Sequence, residues 1–155
     1  MAAVDPENIA GAYKMAPFPS RTYQERRHRL KQKIPSGLIL LPGNAPSPMN
    51  YPDNTYPFRQ ESSFLYFLGL DRPGLFGVMD MDSGTTTIFG DDATMEESIW
   101  TGCDPDLKEQ CLKVGVSNLE KSANLLSVIQ EANKTGRILH FLPPCRPEVL
   151  YRLAS

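Results

Sequence analysis

The sequence predicts an α/β fold in which a mixed β-sheet is flanked by helices. Two short, continuous apolar runs have the composition of strands buried on both faces, GLILLPG at residues 37–43 and RILHFLPP at residues 137–144. Apolar residues recur at helical spacing before the first run and again within residues 119–136. Because strands and helices follow one another along the chain, we expect the helices to cover the sheet.

The first helix is predicted to begin with Ser20 as its N-cap and to continue through TYQERRHRLKQKI. Tyr23, Leu30 and Ile34 mark its buried face. The basic residues fall mostly on the rest of the circumference, which is typical of a solvated face; binding of RNA or a membrane is the alternative. These basic residues are Arg21, Arg26, Arg27, Arg29, Lys31 and Lys33.

Residues 44–57, NAPSPMNYPDNTYP, are predicted to form a surface loop because proline, asparagine and aspartate favour turns. Beyond it, FLYFLGL at residues 64–70, LFGVMDM at residues 75–81 and TTTIFG at residues 85–90 are predicted as three strands of an antiparallel meander. The aromatic residues here are interpreted as sheet and core residues, with at most one reaching a partner domain. They are Tyr56, Phe58, Phe64, Tyr66 and Phe67.

The second half of the chain alternates predicted helices with one more strand. Residues 91–100 are predicted to begin a short helix with Asp92 as its N-cap, and another follows from Asp104. Residues 119–136 are predicted to form a helix that ends at Gly136, a residue suited to a left-handed cap, with Leu125, Leu126, Ile129 and Ala132 at helical spacing. RILHFLPP supplies a buried strand. Residues 147–155 begin a further helix without a cap, so we expect the sequence to continue beyond residue 155.

The composition excludes several classes of protein. A formal net charge of −2 and a pI near 5.7 argue against a nucleic-acid partner. The sequence contains neither a run of about 20 apolar residues nor a basic, apolar leader, so we expect a soluble, cytoplasmic protein. Cys103, Cys111 and Cys145 match no zinc or redox spacing and are expected to be reduced and structural.

The sequence contains no self-contained catalytic motif. It lacks a G-x-S-x-G elbow, a phosphate-binding glycine loop and an H-E-x-x-H pair. Two acidic pairs, Asp80 with Asp82 and Asp91 with Asp92, have the residue type that binds Mg²⁺ or acts as acid and base. Both occur where turns and helix N-termini recruit aspartate, and we interpret them as turn and cap residues.

Residues 56–73, YPFRQESSFLYFLGLDRP, are very similar to the signature of aminopeptidase P N-terminal domains, approximately Y-P-aromatic-R-Q-x-S-x-F-x-Y-x-x-G followed by a small loop with proline. QERRHRL resembles the first helix of this family, and ESIWTG resembles the segment with its characteristic tryptophan. Asp53 lies three residues before Tyr56, as in relatives. The chain departs from the family at Ser63, where many relatives have aspartate, and at CDPD, where some have a basic pair.

The resemblance implies that residues 20–155 are the N-terminal domain of a Xaa-Pro aminopeptidase of the creatinase/prolidase superfamily, preceded by an extension of residues 1–19. In this family a second, "pita-bread" domain is catalytic and holds two divalent ions, usually manganese, with two Asp, one His and two Glu. A ligand set of that kind is missing from this sequence. We therefore expect the chain alone to be inactive, with the catalytic domain of the same protein as its partner.

The resemblance also implies a homo-oligomer in which N-terminal domains line the mouth of a neighbouring active site, where a peptide with proline at its second position binds. Trp100 would form an apolar wall of that pocket, or pack in the core or a domain interface. Asp53 would anchor arginines that reach the groove, or cap a turn, and Arg59, like Gln60, would mainly hold the loop. The alternative is a stand-alone peptide- or protein-binding module without catalytic activity.

Overall fold

The computed structural model describes residues 18–51, 54–92 and 106–143. Their helices and strands follow the order helix, strand, helix, two strands, helix, strand, helix, strand. The elements are α1 (Ser20–Lys33), β1 (Leu38–Pro42), α2 (Ser62–Leu68), β2 (Phe76–Asp80), β3 (Thr86–Phe89), α3 (Leu107–Lys113), β4 (Asn118–Glu120), a 3-10 turn (Ser122–Asn124), α4 (Leu125–Lys134) and β5 (Leu139–Phe141). The predicted α/β class is confirmed.

The strands form one mixed sheet in the order β4-β3-β2-β1-β5. The three central strands are antiparallel, whereas β4 is parallel to β3 and β5 is parallel to β1. The register aligns Pro42 with Phe76, Phe76 with Phe89 and Phe89 with Glu120. This row lies at one end of the strands. We call this end the loop edge, because the chain leaves the sheet here after both β1 and β3.

Helices cover both faces of the sheet. Strand β1 is buried along its whole length, as predicted, since Ile39 and Leu41 point to one face and Leu38 and Leu40 to the other. On the first face, buried residues of α1, α2 and α3 pack against the sheet. On the second face, Leu125 and Ala132 of α4 do so, with Ile129 half-buried beside them. Leu126 is exposed, contrary to the prediction.

The prediction of a strand at residues 64–70 is wrong, because residues 62–68 form α2. Glu61 caps this helix by accepting a hydrogen bond from the backbone N–H of Phe64, and Gly69 ends it in a left-handed conformation. Phe64 and Leu68 are fully buried at the spacing of one helical turn. Their aromatic and apolar composition suits a strand as well as a helix, and the caps at both ends decide between them.

Arg27 is buried in the interface of three helices, although its basic character predicted a solvated position. Its guanidinium donates to the carbonyl oxygens of Phe67 at 2.9 Å, of Val114 at 3.2 Å and of Gly115 at 2.9 Å. These carbonyls lie at the C-terminal ends of α2 and α3, where the helix dipole is negative. Burial lowers the pKa of Arg27 from its ordinary value. The hydrogen bonds of this charged group therefore connect α1 to both short helices.

Some boundaries differ from the predictions. Pro19 occupies the N-cap of α1 and no side chain caps it, so Ser20 is the first helical residue. Strand β5 is at an edge of the sheet and is only half-buried, because β1 is its sole neighbouring strand in the described sheet. The helix predicted over residues 119–136 begins only at Leu125, because residues 118–120 pair with β3 as β4; the left-handed Gly136 after α4 is confirmed. The helices predicted at residues 91–100 and 147–155 fall mostly or wholly outside the described residues.

Replacing Gly69 with alanine is expected to destabilise the fold by about 2 kcal/mol or more. Its φ of +68° disfavours any side chain, and an added Cβ would lie 2.3 Å from the ring of Tyr23 on α1. Gly74 is the matched control, because its φ is +76° but nothing lies within 4 Å of an added Cβ. Gly74→Ala should cost only about 1 kcal/mol. Urea unfolding measures both, and equal losses would contradict the close contact of α1 with α2.

Candidate functional site

A buried polar network lies beside the loop edge. The side-chain oxygen of Gln60 accepts hydrogen bonds from the backbone N–H of Asn44 at 2.7 Å and of Glu61 at 3.0 Å. Its amide nitrogen donates to the carbonyl oxygen of Arg72 at 2.7 Å and, at 3.4 Å, to that of Leu70. Gln60 is only 2% exposed. One carboxamide thus joins the residues after β1, before α2 and before β2.

Asn44 completes this network. Its side-chain amide donates to the carbonyl oxygen of Arg59 at 2.9 Å, and its own carbonyl oxygen accepts from Gly74 N–H at 3.0 Å. Asn44 is 5% exposed. Because Asn44 and Gln60 lie at the two ends of the loop that follows β1, the network holds both ends of that loop together. We call these two residues and their backbone partners the Asn44–Gln60 network.

The loop between them exposes apolar and aromatic side chains. We call its described residues, 45–51 and 54–59, the aromatic loop. Pro48 pairs with Thr55 as in a short hairpin, and Tyr56 N–H donates to the carbonyl oxygen of Ser47 at 2.9 Å. Met49, Tyr51 and Tyr56 are each exposed, Tyr51 by 72%. Hydrogen bonds within the loop and the buried network at its base hold these side chains in solvent.

Arg72 links the chain after β3 to the same network. The guanidinium of Arg72 lies 3.3 Å from the carboxylate of Asp92, and that carboxylate accepts a hydrogen bond from the backbone N–H of Leu107 at 3.1 Å. Asp92 therefore joins the chain after β3 to the start of α3. Since the Arg72 carbonyl also accepts from Gln60, the described ends of residues 44–60 and 92–107 are held at one edge of the sheet.

Asp80 has the predicted turn role, whereas the helix that Asp92 was predicted to cap falls almost wholly outside the described residues. Asp80 accepts from the backbone N–H groups of Asp82 and Ser83 and, with Asp82, pairs with Arg137. Burial raises the pKa of Asp80, but the hydrogen bonds from Arg137 and the backbone outweigh it and hold that pKa below its ordinary value. Asp91 accepts from Ser122. Among residues 18–51, 54–92 and 106–143, no three His, Cys, Asp or Glu side chains are grouped to hold a metal ion.

Cys111 on α3 is a buried, free thiol. Burial raises its pKa to about 11, and the nearby carboxylate of Asp92 adds to this effect. A nucleophilic cysteine needs the thiolate at neutral pH, which this environment opposes. The structural role predicted for Cys111 is confirmed, whereas Cys103 and Cys145 lie outside the described residues.

The structure describes one of the three predicted site residues. Arg59 is exposed at the end of the aromatic loop, and its guanidinium forms no hydrogen bond or ion pair with any residue described here. Asp53 and Trp100 lie outside the described residues. The structural role of Gln60 is confirmed. The exposure of Tyr56 and Tyr66 is contrary to the core role predicted for them, and Tyr51 was missed although its loop was predicted.

The sequence model of the family named "Aminopeptidase P, N-terminal domain" matches residues 23–140. The chain belongs to this family. The matched range contains every described helix and strand except the start of α1 and the last residue of β5. The family's signature therefore has a structural meaning in this chain: Gln60 forms the polar network, Glu61 caps α2, and Phe64 fills the core beneath it.

Several relatives are named as Xaa-Pro aminopeptidases. A probable Xaa-Pro aminopeptidase of Pyrenophora teres f. teres is 30% identical over 113 residues, which are 73% of this chain and 12% of that protein. The probable Xaa-Pro aminopeptidase PEPP of Podospora anserina is 25% identical over 131 residues, which are 81% of this chain and 28% of that protein. The chain thus spans well under a third of the length of these relatives.

Solved structures share the fold. Aminopeptidase P from Escherichia coli superposes with a TM-score of 0.63 at 23% identity, over 75% of this chain and 27% of that one. The aminopeptidase PepP of Pseudomonas aeruginosa superposes with a TM-score of 0.73 at 19% identity, over 90% of this chain and 32% of that one.

Within the described residues of this domain, no helix has the length and apolar character needed to cross a bilayer.

Replacing Gln60 with leucine is expected to lower the free energy of unfolding by about 3 kcal/mol, because it leaves four buried or partly buried backbone groups without their partner. Gln130→Leu is the matched control, since Gln130 is an exposed glutamine of α4. Its effect should stay within about 0.5 kcal/mol. Urea unfolding followed by circular dichroism measures both; similar losses would show that the network contributes little.

The Cys111 thiol is expected to resist alkylation by iodoacetamide at pH 8 in the folded chain and to react once the chain unfolds, because its pKa of about 11 leaves almost no thiolate. Mass spectrometry of the peptide containing Cys111 separates it from Cys103 and Cys145. In 6 M guanidinium, about the concentration that unfolds most domains, its modification should be complete. Rapid labelling of Cys111 in the native chain would contradict its burial.

Proposed function

We propose that this chain is the non-catalytic N-terminal domain of a metal-dependent Xaa-Pro aminopeptidase, which removes an N-terminal residue preceding proline. In this proposal the loop edge contributes to the rim of the substrate pocket, and the domain takes part in oligomerisation. Membership of the family supports the proposal, as do relatives named for this activity that are three or more times longer than the chain.

One observation carries the pocket-rim proposal. The loop that contains Asp53 and Arg59 and the segment that contains Trp100 leave the sheet at the same edge, and the side chains of Gln60 and Asp92 bring their described ends together. The described ends of the two segments, at residues 44 and 60 and at residues 92 and 107, are thereby held at one end of the strands. A binding residue is effective when its supporting backbone is rigid, because less ordering is required when the ligand binds.

The three proposed rim residues have different roles. Trp100 supplies a flat apolar wall at low entropic cost. Arg59, which is exposed, offers a fork of donors to a carboxylate or carbonyl oxygen of the peptide or of a neighbouring subunit. Asp53 orients arginine side chains at the groove. None of these roles requires the chain to perform chemistry, so we propose that it is inactive when isolated.

The metal chemistry belongs, in this proposal, to the catalytic domain of the same protein. The described residues do not group into a site that fits a metal ion, so no step of the reaction is assigned to them. The catalytic domain would bind two manganese ions, whose chemistry is to make a hydroxide available at neutral pH. The free Cys111 thiol supports a reducing compartment, and we propose the cytoplasm.

The proposal is tested with Xaa-Pro peptides and added manganese. We compare this chain with the same chain extended by the next roughly 250 residues of its reading frame, the size of a further domain or two. Hydrolysis is expected only in the extended protein. Hydrolysis by the 155-residue chain would contradict a non-catalytic domain. If both are inactive while the chain still binds Xaa-Pro peptides in calorimetry, the stand-alone binding module is the better description.

Substitutions in the extended protein test the rim. Trp100→Ala and Arg59→Ala are expected to raise KM about tenfold with a smaller change in kcat, because they remove binding shared by substrate and transition state. Arg21→Ala is the control, since Arg21 is exposed on α1 and pairs with Glu25. Unchanged KM in both test variants would exclude a rim role. Loss of the oligomer in light scattering would instead assign these residues to subunit contacts.

A further inference from the structure

A cleft lies at the end of the strands opposite the loop edge. It is enclosed by α1, by the turn between β2 and β3, and by the residues that connect α3 to β4. The strand register places Met79 beside Thr86, and Thr87 beside Asn118, at this end. Its volume is about 550 Å³, within the range of small-molecule sites. We call it the α1 cleft.

Positive side chains line the α1 cleft, and no carboxylate does. Arg27 and Lys31 of α1 carry this positive charge, the imidazole of His28 lines the cleft beside them, and no Asp or Glu is among the lining residues. Asp80 and Asp82 belong to the neighbouring turn, but both carboxylates are engaged by Arg137 in hydrogen bonds. Arg137 thus balances one of these two negative charges, and no carboxylate of the described residues forms an ion pair with Arg27 or Lys31.

Arg27 gives the cleft a fixed charge at its base. It is only 8% exposed, and its described hydrogen-bond partners are three neutral carbonyl oxygens. No carboxylate of the described residues forms an ion pair with it. The negative ends of two helix dipoles compensate this buried charge in part, and an anion close to it lowers the cost that remains. The charge is held in place whether or not a ligand is present.

Two glycines allow flexible donors to lie against the walls. Gly84 has a φ of +76°, and a Cβ there would lie 2.5 Å from Nζ of Lys31. Gly115 has a φ of +72°, and a Cβ there would lie 2.5 Å from the amide nitrogen of Gln24. Any other residue would displace the ammonium or the carboxamide. The hydroxyl of Thr86 adds a donor to the same wall, and those of Ser83 and Ser117, which bond to Thr85 and Asn118, can turn toward an anion.

We propose that the α1 cleft binds a small dianionic oxyanion, either a phosphate group or a dicarboxylate, with Lys31 as its direct partner and Arg27 as a fixed charge beneath it. An ammonium group is a point charge that accepts either headgroup, and hydroxyl and carboxamide donors satisfy the remaining oxygens. This site is independent of the proposed role in peptide hydrolysis, since it lies at the opposite end of the strands.

The proposal is tested on the 155-residue chain by ¹H–¹⁵N NMR titration with inorganic phosphate and, separately, with succinate. Sodium chloride at matched ionic strength is the reference. We expect saturable shifts confined to the amides around Gly84, Gly115 and Ser117. Competition of both anions for these amides supports the site, and a response to one alone supports it and identifies the headgroup.

Matched lysine variants decide whether the cleft is responsible. Lys31→Gln is expected to weaken binding about tenfold, the loss of one charge-assisted hydrogen bond. Lys33→Gln removes the same charge from an exposed position of α1 that does not line the cleft, and should leave binding unchanged. Equal weakening in both variants, shifts spread over the whole basic surface, or no shift beyond that of chloride would overturn the proposal.

Discussion

The arrangement of the helices depends on the hydrogen bonds that the buried guanidinium of Arg27 donates. This guanidinium lies where α1 crosses the C-terminal ends of α2 and α3, and it donates to carbonyl oxygens at both of these ends. Each of those helices has only seven residues, so neither is expected to be stable in isolation. A single planar cation satisfies carbonyls that the helices leave unpaired, and thereby places all three helices over one face of the sheet.

The loop edge depends on a neutral group in the same way. Gln60 both donates and accepts, so one carboxamide satisfies two backbone N–H groups and two carbonyls in a site that excludes water. A carboxylate would lack the donors and an ammonium group the acceptors. The consequence is a rigid base under loops that remain exposed, which is the usual division between a scaffold and the residues that bind partners.

The two ends of the sheet have different characters. At the loop edge, exposed apolar and aromatic residues such as Met49 and Tyr51 suit contact with a peptide or another subunit. At the opposite end, the α1 cleft concentrates positive charge and hydroxyl donors. The hydrogen bonds of Arg27 fix the helices beside the α1 cleft, and the Asn44–Gln60 network fixes the base of the aromatic loop.

The sequence by itself determined the fold class, the buried strand β1, the strands β2 and β3, and, through residues 56–73, the family. These follow from local composition, since continuous apolar runs and glycine turns specify strands without reference to distant residues. Whether FLYFLGL forms a helix, whether Arg27 is buried and which aromatic side chains are exposed were decided only by the tertiary structure. Helix and strand compete closely for a short apolar segment, and a cation is buried only where carbonyls distant in sequence converge on it. Only part of the site could be predicted from the sequence. The loop was recognised from its prolines and asparagines. Its contact with the chain after β3, through Arg72 and Asp92, arises from the sheet register, which no local sequence pattern encodes.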